Sequence, residues 1–147
     1  MFGWYGAAGS LPGVFLILVP AAANAGSALA IANATVDVER DLDAGDRSIA
    51  ITLGPSRAAL LVLALHAVVA VLAVATAAVL GAPTGWVVVV LLATLGPLGG
   101  AVLGIVGAVR EGSGLRELAW EIQAVGTGLL AVAWLAALGA SSGRTDA

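Results

Sequence analysis

Apolar residues run along this chain in four long blocks, and the polar residues gather between them. Leu11 to about Ala34, Ala58 to Leu80, Trp86 to Val109 and about Leu118 to Gly139 are each mostly apolar. Each holds roughly 20 or more positions, the length a helix needs to cross a bilayer core. Val87 to Val90 is β-prone in isolation. Length decides for helix, because a run this long in lipid must satisfy its backbone within itself. The pattern predicts an all-α membrane protein, a polytopic bundle of four transmembrane helices in one domain over residues 1–147.

Each block carries a few interruptions. Pro20 and Asn24 fall in the first, and His66 in the second. The third is broken by Gly96-Pro97-Leu98-Gly99-Gly100. Glu121 and Gln123 lie in the opening turns of the fourth. The Gly-Pro cluster predicts a kink or a close helix approach. His66, Asn24 and Thr76 are expected to make interhelical hydrogen bonds, with a cavity-facing base as the sharper reading of His66. Glu121 favours its helix N-terminus or reaches the interface, and a third acidic contribution to a site is the weaker alternative.

The connections are unequal. Thr35 to Arg57 is long and charged, Gly81 to Gly85 is a tight turn, and Arg110 to Glu117 is short and polar. Arg40, Arg47, Arg57, Arg110 and Arg116 all fall in the first and third connections, and Arg144 alone on the other face. The positive-inside bias puts the long acidic loop in the cytoplasm. Trp4, Tyr5 and Trp86 on one face, and Trp120 on the other, suit interfacial belts. Leu11 to Ala25 also has the outline of a secretory leader. It lacks a basic start, and its apolar run continues past Ala25, so a span is the better reading.

Composition agrees with the pattern. The chain is 61% hydrophobic and 10% charged, where soluble proteins carry about 25% charged residues. It has no cysteine and no lysine, which removes disulfides, thiolate metal sites and thiol nucleophiles. With a net charge of −3 and no basic patch, nucleic acid is not a partner.

The densest chemistry lies just after the first block. Five of the nine acidic residues fall between Asp37 and Asp46. If helix continues into the loop, Asn33, Asp37 and Asp41 form one stripe, drifting about 40° per step. Gly45 continues the stripe and suits a helix end. Glu39 and Asp43 point the other way and, with Asp46, are expected to be solvated. Two carboxylates a turn apart repel unless a cation sits near them. Oxygen ligands suit Mg²⁺ or Ca²⁺, and Mg²⁺ is commonly held by one or two carboxylates together with phosphates and waters. Arg47 and Arg40 are placed to meet phosphate oxygens. An EF-hand fits poorly, since Leu42 and Ser48 occupy the positions that need Gly and Glu. The plain alternative is a solvated acidic loop.

The run Asn33-x₃-Asp37-x₃-Asp41-x₃-Gly45-x-Arg47-Ser48-Ile49-Ala50, then Leu53-Gly54 and Ser56-Arg57-Ala58, resembles the second aspartate-rich motif of the UbiA superfamily of intramembrane prenyltransferases. Members typically have Thr where Ser48 stands. The resemblance implies the C-terminal part of the UbiA fold, since members have more spans and a first aspartate-rich motif that this chain lacks. It implies transfer of a prenyl group from a polyprenyl diphosphate to a lipophilic, often aromatic, acceptor. It implies Mg²⁺ on Asp37 and Asp41, support from Asn33, and diphosphate contact from Arg47. The first motif would come from a partner chain or from a longer form of the protein. A non-catalytic membrane module that completes a partner's helix bundle is the alternative. A cation channel ranks last, because the acidic residues lie at a helix end and not at mid-membrane.

Overall fold

The computed structural model describes residues 13–142. Trp4, Tyr5, Arg144 and the first two residues of the Leu11 block lie outside the described residues. Among the described residues seven helices follow in order: α1 Phe15–Val36, α2 Val38–Ala44, α3 Ile49–Leu53, α4 Pro55–Val79, α5 Thr84–Ala93, α6 Leu95–Val109 and α7 Ser113–Ser142. No strand occurs among the described residues. α1, α4, the α5–α6 pair and α7 are each long and apolar enough to cross a membrane. α4 starts at Pro55 and α7 at Ser113, both earlier than their apolar blocks. Proline at the first helical position and polar residues in the opening turns extend each helix beyond the hydrocarbon-like run.

The four spans form a ring. α1 packs chiefly on α4, α4 on α6, α6 on α7, and α7 back on α1. In α7, with Trp134 and Ser141 buried beside it, the inner seam is Arg116, Ala119, Gln123, Gly126, Leu130, Ala133 and Ala137. That is an unbroken alternation of three and four, so one seam of the helix faces the bundle throughout. The outer faces are apolar: Val71 is 66% exposed and Val132 69%. Such surface suits lipid tails and would be anomalous in water.

Two side-chain bonds cross between α4 and α7. His66 Nε2 and Gln123 Oε1 lie 3.2 Å apart, both side chains buried. Trp134 Nε1–H donates to Thr76 Oγ1 at 2.9 Å. The interhelical reading of His66 and Thr76 therefore holds. Asn24 behaves differently: its Nδ2 donates within α1 to the Pro20 carbonyl at 2.8 Å. Trp120 packs partly buried against the inner cluster around Ile31 and Val62, while Trp86 is exposed.

The third span is broken where its sequence foretold a break. α5 ends at Ala93, and Thr94 separates it from α6. Pro97 cannot donate to the Ala93 carbonyl, so one rung of the helix is missing. The glycines serve close approach as well. A Cβ on Gly126 would meet the Gly96 Cα at 2.8 Å and the Pro97 nitrogen at 2.7 Å. Packing at this seam is backbone on backbone, which gives van der Waals contact where lipid offers no hydrophobic drive. Gly126→Ala is expected to lower thermal stability in detergent by about 1–3 kcal/mol. Gly128→Ala, two residues on with nothing within 4 Å of its Cβ, is expected to leave it unchanged.

Candidate functional site

The acidic stretch sits at one end of the bundle. There the end of α1 meets α2, α3, the start of α4, the end of α6 and the start of α7. Helix does continue past α1, with a break at Asp37, whose φ is −90° and ψ 2°. An i→i−4 bond holds on each side of the break: Asp37 N–H donates to the Asn33 carbonyl at 3.3 Å and Asp41 N–H to the Asp37 carbonyl at 2.9 Å. Asn33, Asp37 and Asp41 therefore keep their stripe. Asn33 is exposed and the two aspartates are half-buried, whereas Thr35 on the reverse face and Val38 on the flank are buried. The stripe lies at the surface of the bundle mouth, with its two aspartates partly covered.

The glycines of the stretch have mechanical roles. Gly45 has φ 73°, with its N–H on the Leu42 carbonyl at 3.1 Å and Asp46 N–H on the Asp41 carbonyl at 2.9 Å. This pair of bonds is a Schellman ending, which favours glycine in the left-handed region. Ser48 then starts α3, its Oγ accepting from Ile51 N–H at 3.3 Å. Gly54 has φ 80° and turns α3 into α4. The Leu53-Gly54 pair is thus a helix stop followed by a corner that side chains resist.

Asp37 forms an ion pair with Arg40, one turn on and 77% exposed. Arg47 is exposed in the turn after α2, and Asp43 and Asp46 are exposed as expected. Glu39 corrects its expectation. Its Oε1 accepts from Arg116 Nη2 at 2.5 Å, so it is a partner of α7 and not only a solvated charge. Arg116 is 3% exposed, and its Nη1 also donates to the Thr35 carbonyl at 3.1 Å. Its Nε has no hydrogen-bond partner among the described residues. A cavity of about 350 Å³ opens beside this pair, lined by Glu39, Leu42, Ile51, Ser56, Glu111 and Arg116 among others. Asn33, Asp37, Asp41, Arg40 and Arg47 do not line it. In the sequence Arg116 stands out only as one of the loop arginines. Its signal was the seam it heads, seven residues before Gln123.

Glu121 is exposed on the outer face of α7, in a groove with Gly96 and Val125, away from the aspartates. No group of three or more His, Cys, Asp or Glu side chains gathers among the described residues. What the stretch offers is two carboxylates a turn apart, an amide and two exposed guanidiniums. At the other end of the bundle an apolar cavity of about 240 Å³ lies between α1, α4 and α7, bounded by Leu18, Val69 and Leu130 among others.

Four apolar spans with lipid-suited outer faces make this an integral membrane protein. Residues 1–111 match the model of the UbiA prenyltransferase family, and the chain belongs to that family. The match takes in the acidic stretch and stops before α7. No curated protein and no solved structure matches significantly. The family implies Mg²⁺, and the donors fit it in part. The carboxylates of Asp37 and Asp41 are oxygen donors of the kind that Mg²⁺ takes beside phosphate and water.

Pairing with Arg116 holds the Glu39 carboxyl below the usual carboxylate range, the hydrogen bond outweighing the desolvation that opposes it. A group whose pKa is lowered by folding stabilises the fold above its unfolded value and loses that contribution as pH falls through the folded one. The side chain is 62% exposed, so the effect is modest. Unfolding followed in detergent from about pH 7 to about pH 3 is expected to show wild type losing its margin over Glu39→Gln. A margin unchanged across that interval would contradict the pairing.

Proposed function

We propose that this chain carries one half of a Mg²⁺-dependent prenyl-transfer site of the UbiA type. The reaction moves a prenyl group from a polyprenyl diphosphate to a lipophilic, often aromatic, acceptor. The observation that supports it most is the Asn33–Asp37–Asp41 stripe at the bundle mouth, partly exposed and outside the cavity beside Arg116. Two carboxylates there suit a site that is completed across an interface. The counterpart motif would come from a partner chain or from a longer form of the protein.

Breaking an allylic C–O bond leaves charge on the departing diphosphate. Mg²⁺ bound at the stripe would neutralise that charge. Asp37 and Asp41 bind and orient from one helical face, and Asn33 adds an amide toward the membrane. Arg47 and Arg40 are exposed donors for phosphate oxygens, and Arg40 would exchange its contact with Asp37 for one with the diphosphate. The membrane boundary places the charged head beside water and the prenyl chain in lipid.

A second reading is a non-catalytic module that completes a partner's bundle. It is favoured by the carboxylate count, since two side chains alone make an incomplete metal centre. Binding of a polyprenyl diphosphate to the chain in nanodiscs separates the two. The first reading expects Mg²⁺-dependent binding that falls about 10-fold or more in Asp37→Asn and Asp41→Asn. Binding equal in wild type and both variants would leave only the module.

The cytoplasmic placement of the acidic loop is also a proposal, supported by the gathering of Arg40, Arg47, Arg57, Arg110 and Arg116 at one end. The chain has no cysteine, so single substitutions report cleanly. Ala44→Cys is expected to resist an impermeant maleimide in intact cells and to react in inverted vesicles. The reverse pattern would overturn the orientation.

A further inference from the structure

We propose that Arg116 is a positioning residue for the acidic stripe. From α7 it grips both sides of the helix break at Asp37, and so sets where the Asp37 and Asp41 carboxylates stand. The inference rests on reading those carboxylates as ligands of a metal–diphosphate complex.

The geometry is specific. Thr35 and Glu39 each lie two residues from Asp37, one before and one after. Two residues turn a helix by about 200°, so both face away from the stripe. Arg116 takes one acceptor from each side: the Thr35 carbonyl through Nη1 and the Glu39 carboxylate through Nη2. Its planar fork spans α1 and α2 at once, a task for which lysine is a poor substitute. Asp37, the residue at the break, gives the start of α2 no side-chain cap. α2 has seven residues and one buried side chain, Val38, so it has little else to fix its direction. Helices this short are not stable by themselves.

The arginine is held at some expense. It is 3% exposed, and its Nε–H is buried without a partner. Burial of a guanidinium with an unmet donor is a poor way to gain stability alone. The fold also makes room for it. A Cβ on Gly107 of α6 would come within 3.0 Å of the Arg116 Cγ. Arg116 lies in the part of the chain beyond the family match, so this grip on the motif comes from outside the matched residues.

The test uses the full chain in nanodiscs, with Mn²⁺ and inorganic diphosphate as the probe and electron paramagnetic resonance as the readout. Arg116→Gln and Glu39→Ala are expected to weaken Mn²⁺–diphosphate binding roughly 10-fold or more, the usual effect of removing a group that orients metal ligands. Arg116→Lys is expected to recover part of the loss. Thr76→Val, which breaks the bond to Trp134 elsewhere in the bundle, is expected to lower the unfolding midpoint and leave Mn²⁺ affinity unchanged. Should Arg116→Gln not fold, Glu39→Ala carries the test, since its side chain is largely at the surface.

Wild-type affinity in Arg116→Gln or Glu39→Ala, with loss in Asp37→Asn, would overturn the positioning role and leave the site intact. An equal loss in Thr76→Val would overturn it too, by tracing the effect to general loosening. Wild-type affinity in both Asp37→Asn and Asp41→Asn would remove the site reading, and the positioning role with it.

Discussion

One buried guanidinium ties the acidic mouth to the rest of the bundle. Arg116 heads the inner seam of α7 and reaches the Thr35 carbonyl and the Glu39 carboxylate, 81 and 77 residues back along the chain. Without it, α1 would end at the membrane boundary with one fewer carbonyl satisfied, and α2 would hang from a single buried valine. In a medium where unmet backbone groups are costly, that contact does two jobs. It closes the end of a spanning helix, and it fixes the element that carries the carboxylates.

The remainder of the bundle supports this contact by keeping α7 in register. Below Arg116 the same seam presents Gln123 to His66, then Gly126 to Gly96, then Leu130 and Trp134 to α4 and α1. Polar groups hold the half of the seam near the mouth, and apolar side chains, bare backbone and the Trp134–Thr76 hydrogen bond hold the remainder. Small residues let α6 and α7 approach closely, as expected where helices gain from packing and not from exclusion of water. A shift of α7 along its axis would break several of these contacts together, which makes the position of Arg116 well determined.

Much of this was legible in the sequence, for physical reasons. Long apolar runs in lipid admit one solution, so four spans and an all-α fold followed from length alone. The Gly-Pro break in the third span and the left-handed turn at Gly45 could be read because proline and glycine act locally. The stripe of Asn33, Asp37 and Asp41 could be read because helical periodicity is local too. The failures were all matters of pairing across distance. Glu39 reads as solvated because it points away from the stripe in a charged loop, and its partner stands in α7. Arg116 looked like one more loop arginine because burial of a helix's first turn depends on its neighbours. Asn24 went wrong the other way: an interhelical bond was expected, and the side chain turned back on its own helix beside Pro20.

The most direct measurement is an experimental structure of the chain in a lipid environment with Mn²⁺ and inorganic diphosphate, read by anomalous scattering. The expected result is a metal peak at coordination distance from the Asp37 and Asp41 carboxylates, with Arg116 still on Thr35 and Glu39 behind them. A metal bound instead in the Glu39–Glu111 cavity, or at neither place under saturating conditions, would contradict the assignment of the stripe.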